Sequence, residues 1–485
     1  MYVLMQISDL HRSEVNLISN DELMSSLTAD CGRFAVETPP IYPPNAIVVC
    51  GDLVRGLPLD STEYPKVLEK QYADAFDLLT RLADTFLGGD RSKLIIIPGN
   101  HDVDWIKSRN SMKVVEQTDE SIHDLLTTPH SPYRWSWKDQ QLYKIEDYET
   151  YEERFKFFCD LYSQFYQGAT LAFQVDPKRA WNLFELDAGR ILVGAFNSCI
   201  NTDCFSYYSE IPTQAIAQSH LAASDHYNLK IAVWHHDTRG APRRSDYLDP
   251  DIVQLMLDRG YRLGMHGHRH KSDVLPFYLH ATPEMHVMAV VGAGSLSAAL
   301  THLPHGFNHQ YNIIEISDDY THACVHIREM VVQGIFSKGR MTELGGRSYG
   351  ELQWTVAPAT AIVNTGRGGG SDIALVEHIE SSISKGEHKD AIEKIDAAKE
   401  ALGYYGRQLL SKALFEDKEW VRLEEHLSCP RNSDELMKLV LANLALKHWG
   451  KAEQAISSAE KSKHFPALLL SDLRARLSAE KEVSQ

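Results

Sequence analysis

Five short apolar runs in this chain each stop at a small group of Asp, Asn or His side chains. The most informative is Leu94-Ile95-Ile96-Ile97, which meets Pro98 and Gly99 and then releases Asn100, His101 and Asp102. A continuous apolar run of that length, bounded by turn residues, fits a strand covered on both faces. The Pro-Gly pair breaks it, so the polar triplet lies on the loop at its carboxyl end, where open α/β sheets bind ligands. Four other runs end in the same manner. They lead to Asp9-Leu10-His11, to Gly51-Asp52, to His235-His236 and to His266-Gly267-His268-Arg269-His270. Any one of these could be an ordinary turn, and any one His an ordinary buried or surface side chain. Five strand ends that all carry metal-ligating or proton-transferring groups form a far more specific set.

In chain order the groups read DxH, GD, GNHD, HH and GHxH, a pattern that resembles the calcineurin-like metallophosphoesterase family over roughly residues 1–325. The resemblance implies an α/β fold in which a two-sheet β-sandwich is flanked by helices. It also implies two divalent metal ions. Carboxylate, imidazole and amide donors without thiolate favour Mn2+, with Fe or Zn as alternatives. Carried over motif by motif, one ion takes Asp9, His11 and His270, the other takes Asn100, His235 and His268, and Asp52 bridges them. Two dications about 3.5–4 Å apart need such shared negative oxygen. The His101 position in the family stabilises or protonates the leaving group. Asp102 is a second catalytic candidate that would orient the His101 ring, with a helix-starting cap as the alternative. Arg12 and Arg269 flank the motifs and are candidates for holding substrate phosphate, against a plain surface role. Asp237 follows the His pair where the family commonly has Pro, so that loop is expected to differ. His236, His266, His280, His302, His305 and His309 read as non-ligands.

At 485 residues the chain exceeds one ordinary core, and its 43% apolar content is that of a folded protein. Residues 1–332 read as the phosphoesterase domain. Residues 64–87 have helical apolar spacing and predict a crossover helix between parallel strands. Residues 14–27 predict a helix, and 181–186 with 191–196 a hairpin turning at Asp187-Ala188-Gly189. Strands at 285–291, 311–316 and 323–331 look antiparallel and suit the second sheet of the sandwich. Residues 106–180 form an insertion, polar, aromatic and mostly helical by pattern, placed directly after an active-site loop. Insertions there act as lids or as packing appendages.

Residues 333–372, ending in the glycine run 366–371, read as a linker. Residues 373–485 are rich in Ala, Leu, Lys and Glu, and three polar turns begin at 385, 415 and 446, offsets of 30 and 31. Each precedes an amphipathic helix. That layout resembles a degenerate tetratricopeptide-like array, a plain bundle being the alternative, and either offers a surface for a protein partner or self-association.

Seven scattered cysteines without CxxC spacing fit reduced thiols in the cytoplasm, and Cys50 and Cys199 read as small buried hydrophobes. No apolar segment is long enough for a signal peptide or membrane span. A net charge of −17 argues against a general nucleic-acid-binding surface, although metal ions reverse the field locally. The expected activity is hydrolysis of phosphate esters, in particular phosphodiesters of nucleotides or nucleic acid, by water activated between two metal ions. A Mre11-like DNA or RNA nuclease is the alternative within the class. Outside it stands a non-catalytic scaffold that senses a ligand; a missing metal ligand would be its signature, and none is missing.

Overall fold

A computed structural model describes residues 1–13, 18–116, 121–127, 130–223, 227–239, 246–279, 286–340 and 347–354, and then 379, 382–383, 386–397, 399–430, 433–462 and 467–483. They fall into two compact units, the first within Met1–Leu279 and His286–Ala359, the second within Thr360–Gln485.

The strands of the first unit are β1 (Tyr2–Ile7), β2 (Ala46–Val49), β3 (Leu94–Ile96), β4 (Met112–Val114), β5 (Tyr133–Ser136) and β6 (Gln141–Ile145). There follow β7 (Trp181–Leu186), β8 (Ile191–Phe196), β9 (Asn201–Thr202), β10 (Tyr207–Tyr208), β11 (Leu229–Val233) and β12 (Tyr261–His266). The last are β13 (Asp273–Leu279), β14 (His286–Gly292), β15 (Gln310–Ile316), β16 (His322–Val332), β17 (Ile335–Lys338) and β18 (Tyr349–Gln353). One sheet has the order β17-β16-β15-β1-β2-β3, with β18 also on β16; the other has the order β13-β14-β12-β11-β8-β7. In each sheet the strands nearest the site run parallel: β1, β2 and β3 in one, β8, β11, β12 and β14 in the other. Antiparallel strands close both edges of the second sheet and the β17 edge of the first, whose other edge is the parallel β3.

Local signals behave as the sequence leads one to expect. The crossover helix α2 (Lys66–Leu87) buries Leu68, Tyr72, Ala75, Leu79 and Leu82 on one stripe and stops at left-handed Gly88. The β7–β8 hairpin turns through Asp187, Ala188 and Gly189, all at positive φ. The helix expected at 14–27 starts later, as α1 (Asn20–Cys31), because Ser19 and Glu22 form a capping box there; residues 14–17 lie outside the described ones.

Three expectations need correction. The strands assigned to a second sheet divide: β15 and β16 extend the β1 sheet, while β14 pairs parallel with β12. Residues 106–180 are not mostly helical, since β4, β6 and β5 form a three-stranded sheet there beside the helices. Alternation over such short aromatic strands is too weak to separate from a helical stripe. The stretch 333–372 is not a plain linker, because β17 and β18 pair with β16 within it; its glycine run lies outside the described residues.

A buried polar cluster fixes how the two sheets meet beneath the site. Gln6 on β1 donates to the carbonyls of His266 (3.1 Å) and Val291 (2.9 Å), and Asn312 on β15 donates to Gln6 Oε1 and the Gly292 carbonyl, 3.0 Å each. Ser272 Oγ donates to Asn312 Oδ1 at 2.9 Å. With its members partnered this way, the cluster specifies one alignment of the sheets rather than a slippery apolar contact. A second anchor joins α1 to the first sheet: Arg328 makes two bonds to the buried Asp30 carboxylate, and Tyr311 donates to it at 2.6 Å. Tyr311→Phe is expected to cost about 1.5–3 kcal/mol, the usual value for a hydrogen bond to a charged group. Urea denaturation measures it, and an unchanged midpoint would mean that Arg328 and Arg33 satisfy Asp30 without it.

The second unit is helical, with helices at His388–Ala397, Lys399–Glu416, Trp420–His426, Ser433–Ala445, Trp449–Ser462 and Ala467–Val483. Consecutive helices pack on one another. Gly386, Lys418 and Lys447 stand at positive φ inside the three expected polar turns, which is how a chain reverses between helices. Among the described residues no helix is long and apolar enough to cross a membrane.

Candidate metal centre

Every motif residue lies at the carboxyl end of a parallel strand: Asp9 and His11 after β1, Asp52 after β2, Asn100 to Asp102 after β3, His235 after β11, His268 and His270 after β12. The loops are laced by backbone bonds, Asp9 N to Gly51 O (3.1 Å), His11 N to Asp52 O (3.0 Å) and Gly267 N to His235 O (3.0 Å). The His268 peptide N–H reaches across to Asp9 Oδ2 at 3.1 Å. Asp9, His11, Asp52, His268 and His270 all adopt positive φ, between 43° and 73°. Left-handed backbone disfavours such side chains and persists only where the surroundings enforce it. The motif glycines explain part of that enforcement. A Cβ on Gly99 would collide with the Asp52 backbone and carboxylate, and one on Gly267 would collide with Ser8 and Asp9.

Two groups of donor atoms result. In the first, the ligand atoms of Asp9, His11, Asp52 and His270 lie within 4.8 Å of one another. His270 Nδ1 donates to the His302 carbonyl (2.8 Å), so its Nε2 presents a lone pair to His11 Nε2 and Asp9 Oδ1, both at 3.1 Å. In the second, His235 Nδ1 donates to the Cys50 carbonyl (2.7 Å), and its Nε2 faces Asn100 Oδ1 at 3.0 Å and Asp52 Oδ2 at 3.4 Å. His268 Nδ1 stands 3.0 Å from the same Asn100 oxygen. Asp52 Oδ2 also lies 3.5 Å from His11 Nε2, so this carboxylate touches both groups.

Lone pairs facing lone pairs at about 3 Å repel unless a cation or proton lies between them. Asp9 Oδ1 and His11 Nδ1 are moreover buried without a hydrogen bond of good geometry. The carbonyls behind His235 and His270 are the outer partners that orient metal-ligating imidazoles. The donor set therefore fits two divalent ions.

The electrostatics agree. Burial raises the Asp52 carboxyl, but the imidazoles of His235, His101 and His11 outweigh it and hold it well below the carboxylate range. Burial depresses His235, yet Asp52 overrides this and lifts it to about 9. Burial keeps His11 and His268 neutral, both lowered to about 4.

The remaining candidates are placed as follows. His101 Nδ1 donates to the Arg55 carbonyl (2.8 Å), its N–H donates to Asp52 Oδ1 (2.8 Å), and its ring centroid is 4.6 Å from that of His11. Of the two expectations for Asp102, the structure shows the helix-starting cap and no bond to the His101 ring. The Asp102 carboxylate accepts the peptide N–H groups of Gly99 (2.8 Å), Leu53 (3.0 Å) and Val54 (3.3 Å), tying the Asn100 loop to the Asp52 loop. Burial and the Asp52 charge push Asp102 up to about 7 against those donors. Arg12 is buried, its guanidinium on the Ile18 carbonyl (3.1 Å) and Ser297 Oγ (3.3 Å), a setting that ties down a loop rather than offering charge to solvent. Arg269 is half-exposed and paired with Asp237 at 3.0 Å. Asp237 also lies near His266 (3.7 Å).

Sequence reasoning missed several supporting groups. Ser198 Oγ meets His236 Nδ1 (2.8 Å) and accepts the His235 N–H (3.2 Å), shaping the His-His turn. The carbonyls of Cys50, Arg55 and His302 carry no sequence signal, because every residue has one. An aromatic run also leaves the site: His101 to Trp105 at 5.8 Å, then Trp105 to the exposed Tyr207 at 6.2 Å. Cys50 and Cys199 are buried free thiols, as expected.

A family model described as calcineurin-like phosphoesterase matches residues 2–272. Among solved structures, the calcineurin-like phosphoesterase YfkN from Bacillus subtilis is similar at 10% identity and TM-score 0.30, over 73% of this chain and 90% of that one. Wild-type Vps29 of Entamoeba histolytica, complexed with zinc, is similar at 11% and 0.27, over 73% and 99%. A Staphylococcus aureus protein described as a candidate 5′-nucleotidase is similar at 9% and 0.32, over 75% and 56%. No curated protein sequence matches.

Proposed function

The chain belongs to the calcineurin-like phosphoesterase family, and we propose that it is a dinuclear-metal phosphoesterase that hydrolyses phosphodiesters of nucleotides or nucleic acid. The observation that carries this reading is the convergence of metal-ligating atoms on Asp52, with the outward nitrogens of His235 and His270 already donated to carbonyls. Asp9, His11 and His270 would hold one ion and Asn100, His235 and His268 the other, with Asp52 shared. When bound, the ions supply Lewis-acid activation of water and neutralise charge on the phosphoryl group.

The protein's own part is positioning and proton handling. His101 has its Nδ1–H committed to the Arg55 carbonyl, so Nε2 is the nitrogen that meets the leaving oxygen and, in the imidazolium form, gives it a proton. Asp102 fixes the two loops that carry His101 and Asp52. The Trp105–Tyr207 run supports a planar leaving group or base, because aromatic faces stack on bases irrespective of sequence. The net charge of −17 favours small or single-stranded substrates over long duplexes. The C-terminal helices are proposed as a surface for a partner or for self-association.

The test is metal analysis joined to a substrate panel: bis-p-nitrophenyl phosphate, p-nitrophenyl phosphate, cyclic nucleotides, and single- and double-stranded DNA and RNA. Two equivalents of Mn2+ and turnover of the diester, lost on chelation, are expected. Preferred cleavage of duplex DNA ends would favour the Mre11-like alternative. Metal uptake without turnover of any ester would favour the scaffold.

Metal uptake should also release protons. His235 is lifted to about 9, so at neutral pH the metal-free protein carries a proton that the ion must displace. Apparent affinity is therefore expected to rise about tenfold per pH unit below that value and to weaken as pH falls. Calorimetry with Mn2+, an ion that thiolate sites disfavour, in two buffers of different ionisation enthalpy measures the released proton. Uptake at pH 7 with no release would show that His235 is neutral before the metal arrives.

A further inference from the structure

Beyond residue 272, where the family match ends, a second cluster of metal-ligating side chains lies on three adjacent strands. Cys324 of β16 stands directly opposite Glu315 of β15 on one side and Glu351 of β18 on the other. His326 follows two residues along β16, so its side chain shares the face of Cys324. Its Nε2 lies 2.9 Å from Glu315 Oε2, while the other Glu315 oxygen is held by the Tyr42 N–H at 2.8 Å. One ligand atom each from Glu315, Cys324 and His326 fall within 4.8 Å of one another. Glu315 and His326 are buried, Cys324 is half-buried and Glu351 is exposed, so the cluster opens to solvent on the Glu351 side.

We propose that Glu315, Cys324 and His326, with Glu351 at the open side, form a zinc site separate from the dimetal centre. The donor chemistry selects the ion. Thiolate with imidazole and carboxylate suits zinc, whereas the catalytic donors are oxygen and nitrogen alone. Bond lengths of about 2.0–2.3 Å place neighbouring tetrahedral donors about 3.3–3.6 Å apart, so the cluster needs only small side-chain shifts to close on an ion. The Glu315–His326 hydrogen bond is what the ion replaces. Burial and the two carboxylates push the Cys324 thiol up to about 12, so the metal-free cluster holds the neutral thiol. Binding forms a zinc–sulfur bond and releases the thiol proton to water. The role is structural: one ion clasps β15, β16 and β18.

The test uses the full-length protein, stripped of metal and titrated with Co2+. A thiolate-to-cobalt charge-transfer band in the near ultraviolet reports this site alone, because the dimetal donors include no sulfur. One band-bearing equivalent is expected in the wild type, displaced by zinc and absent from Cys324→Ser. Diester turnover by Cys324→Ser should match the wild type, which separates this proposal from the phosphoesterase reading. A wild type without the band, or a Cys324→Ser protein that keeps it, overturns the proposal. Alkylation of the wild type followed by peptide mass spectrometry needs no variant. With zinc bound, Cys324 should lose the inertness of a half-buried neutral thiol and show a changed modification rate; an identical rate with and without zinc, together with no cobalt band, overturns the assignment.

Discussion

Asp52→Asn is expected to abolish phosphoester hydrolysis and to weaken uptake of both metal ions together. The carboxylate touches both donor groups, at 3.5 Å from His11 Nε2 and 3.4 Å from His235 Nε2. An amide is nearly the same shape and can still accept the His101 N–H, so the loop should keep its conformation. What it loses is the charge that two dications share. That charge is worth several kcal/mol, so turnover should fall by more than about 10³-fold. The variant has a second signature. Asp52 is the main group that lifts His235 to about 9, so proton release on metal uptake at neutral pH should shrink with it. Metal analysis, calorimetry and the diester assay on one preparation read all three. A variant that keeps two ions and wild-type rates would remove Asp52 from the centre of the site.

His101→Ala separates chemistry from metal binding. The ring sits beside His11 with Nδ1 on the Arg55 carbonyl, and no proposed ligand depends on its side chain. Metal stoichiometry should be retained while the rate falls by about 10²–10⁴-fold, the range for loss of a positioned general acid. The loss should be smaller with a nitrophenolate leaving group, which departs without a proton, and larger with an alkoxide such as a ribose oxygen. Equal losses on both substrates would mean that His101 acts by holding the Asp52 loop. Loss of metal would make it part of the coordination shell.

The site was legible because its information is local. Each motif pairs a short apolar run with the loop that follows, and the run determines both the strand and the end at which the polar groups emerge. That pattern carries the family resemblance, which in turn implied Asp9, His11, Asp52, Asn100, His235, His268 and His270 as ligands, and the structure brings them together. Their exact neighbours could not be named. The carbonyls of Cys50 and His302 decide which imidazole nitrogen faces inward, and a carbonyl leaves no trace in side-chain identity. Asp102 was left between two roles for a related reason: sequence alone offered the His101 ring or a local cap, and folding chose the cap and added the Leu53 and Val54 N–H groups to its carboxylate.

The sequence by itself determined which segments are strands, where they end, and which donors those ends carry, because each depends on residues within a few positions. Only the tertiary structure decided how the strands divide between sheets. Periodicity records burial of a face and not the identity of the partner strand, so β14 could join β12 while β15 and β16 joined β1. The same long-range pairing recruited β17 and β18 from a stretch that reads as linker, and it set Glu351, Cys324 and Glu315 side by side from three separate segments. The left-handed backbone at Asp9, His11, Asp52, His268 and His270 belongs to this second class. Asp and His tolerate it better than most residues do, but five such residues together are held by the packed loops of two abutting sheets.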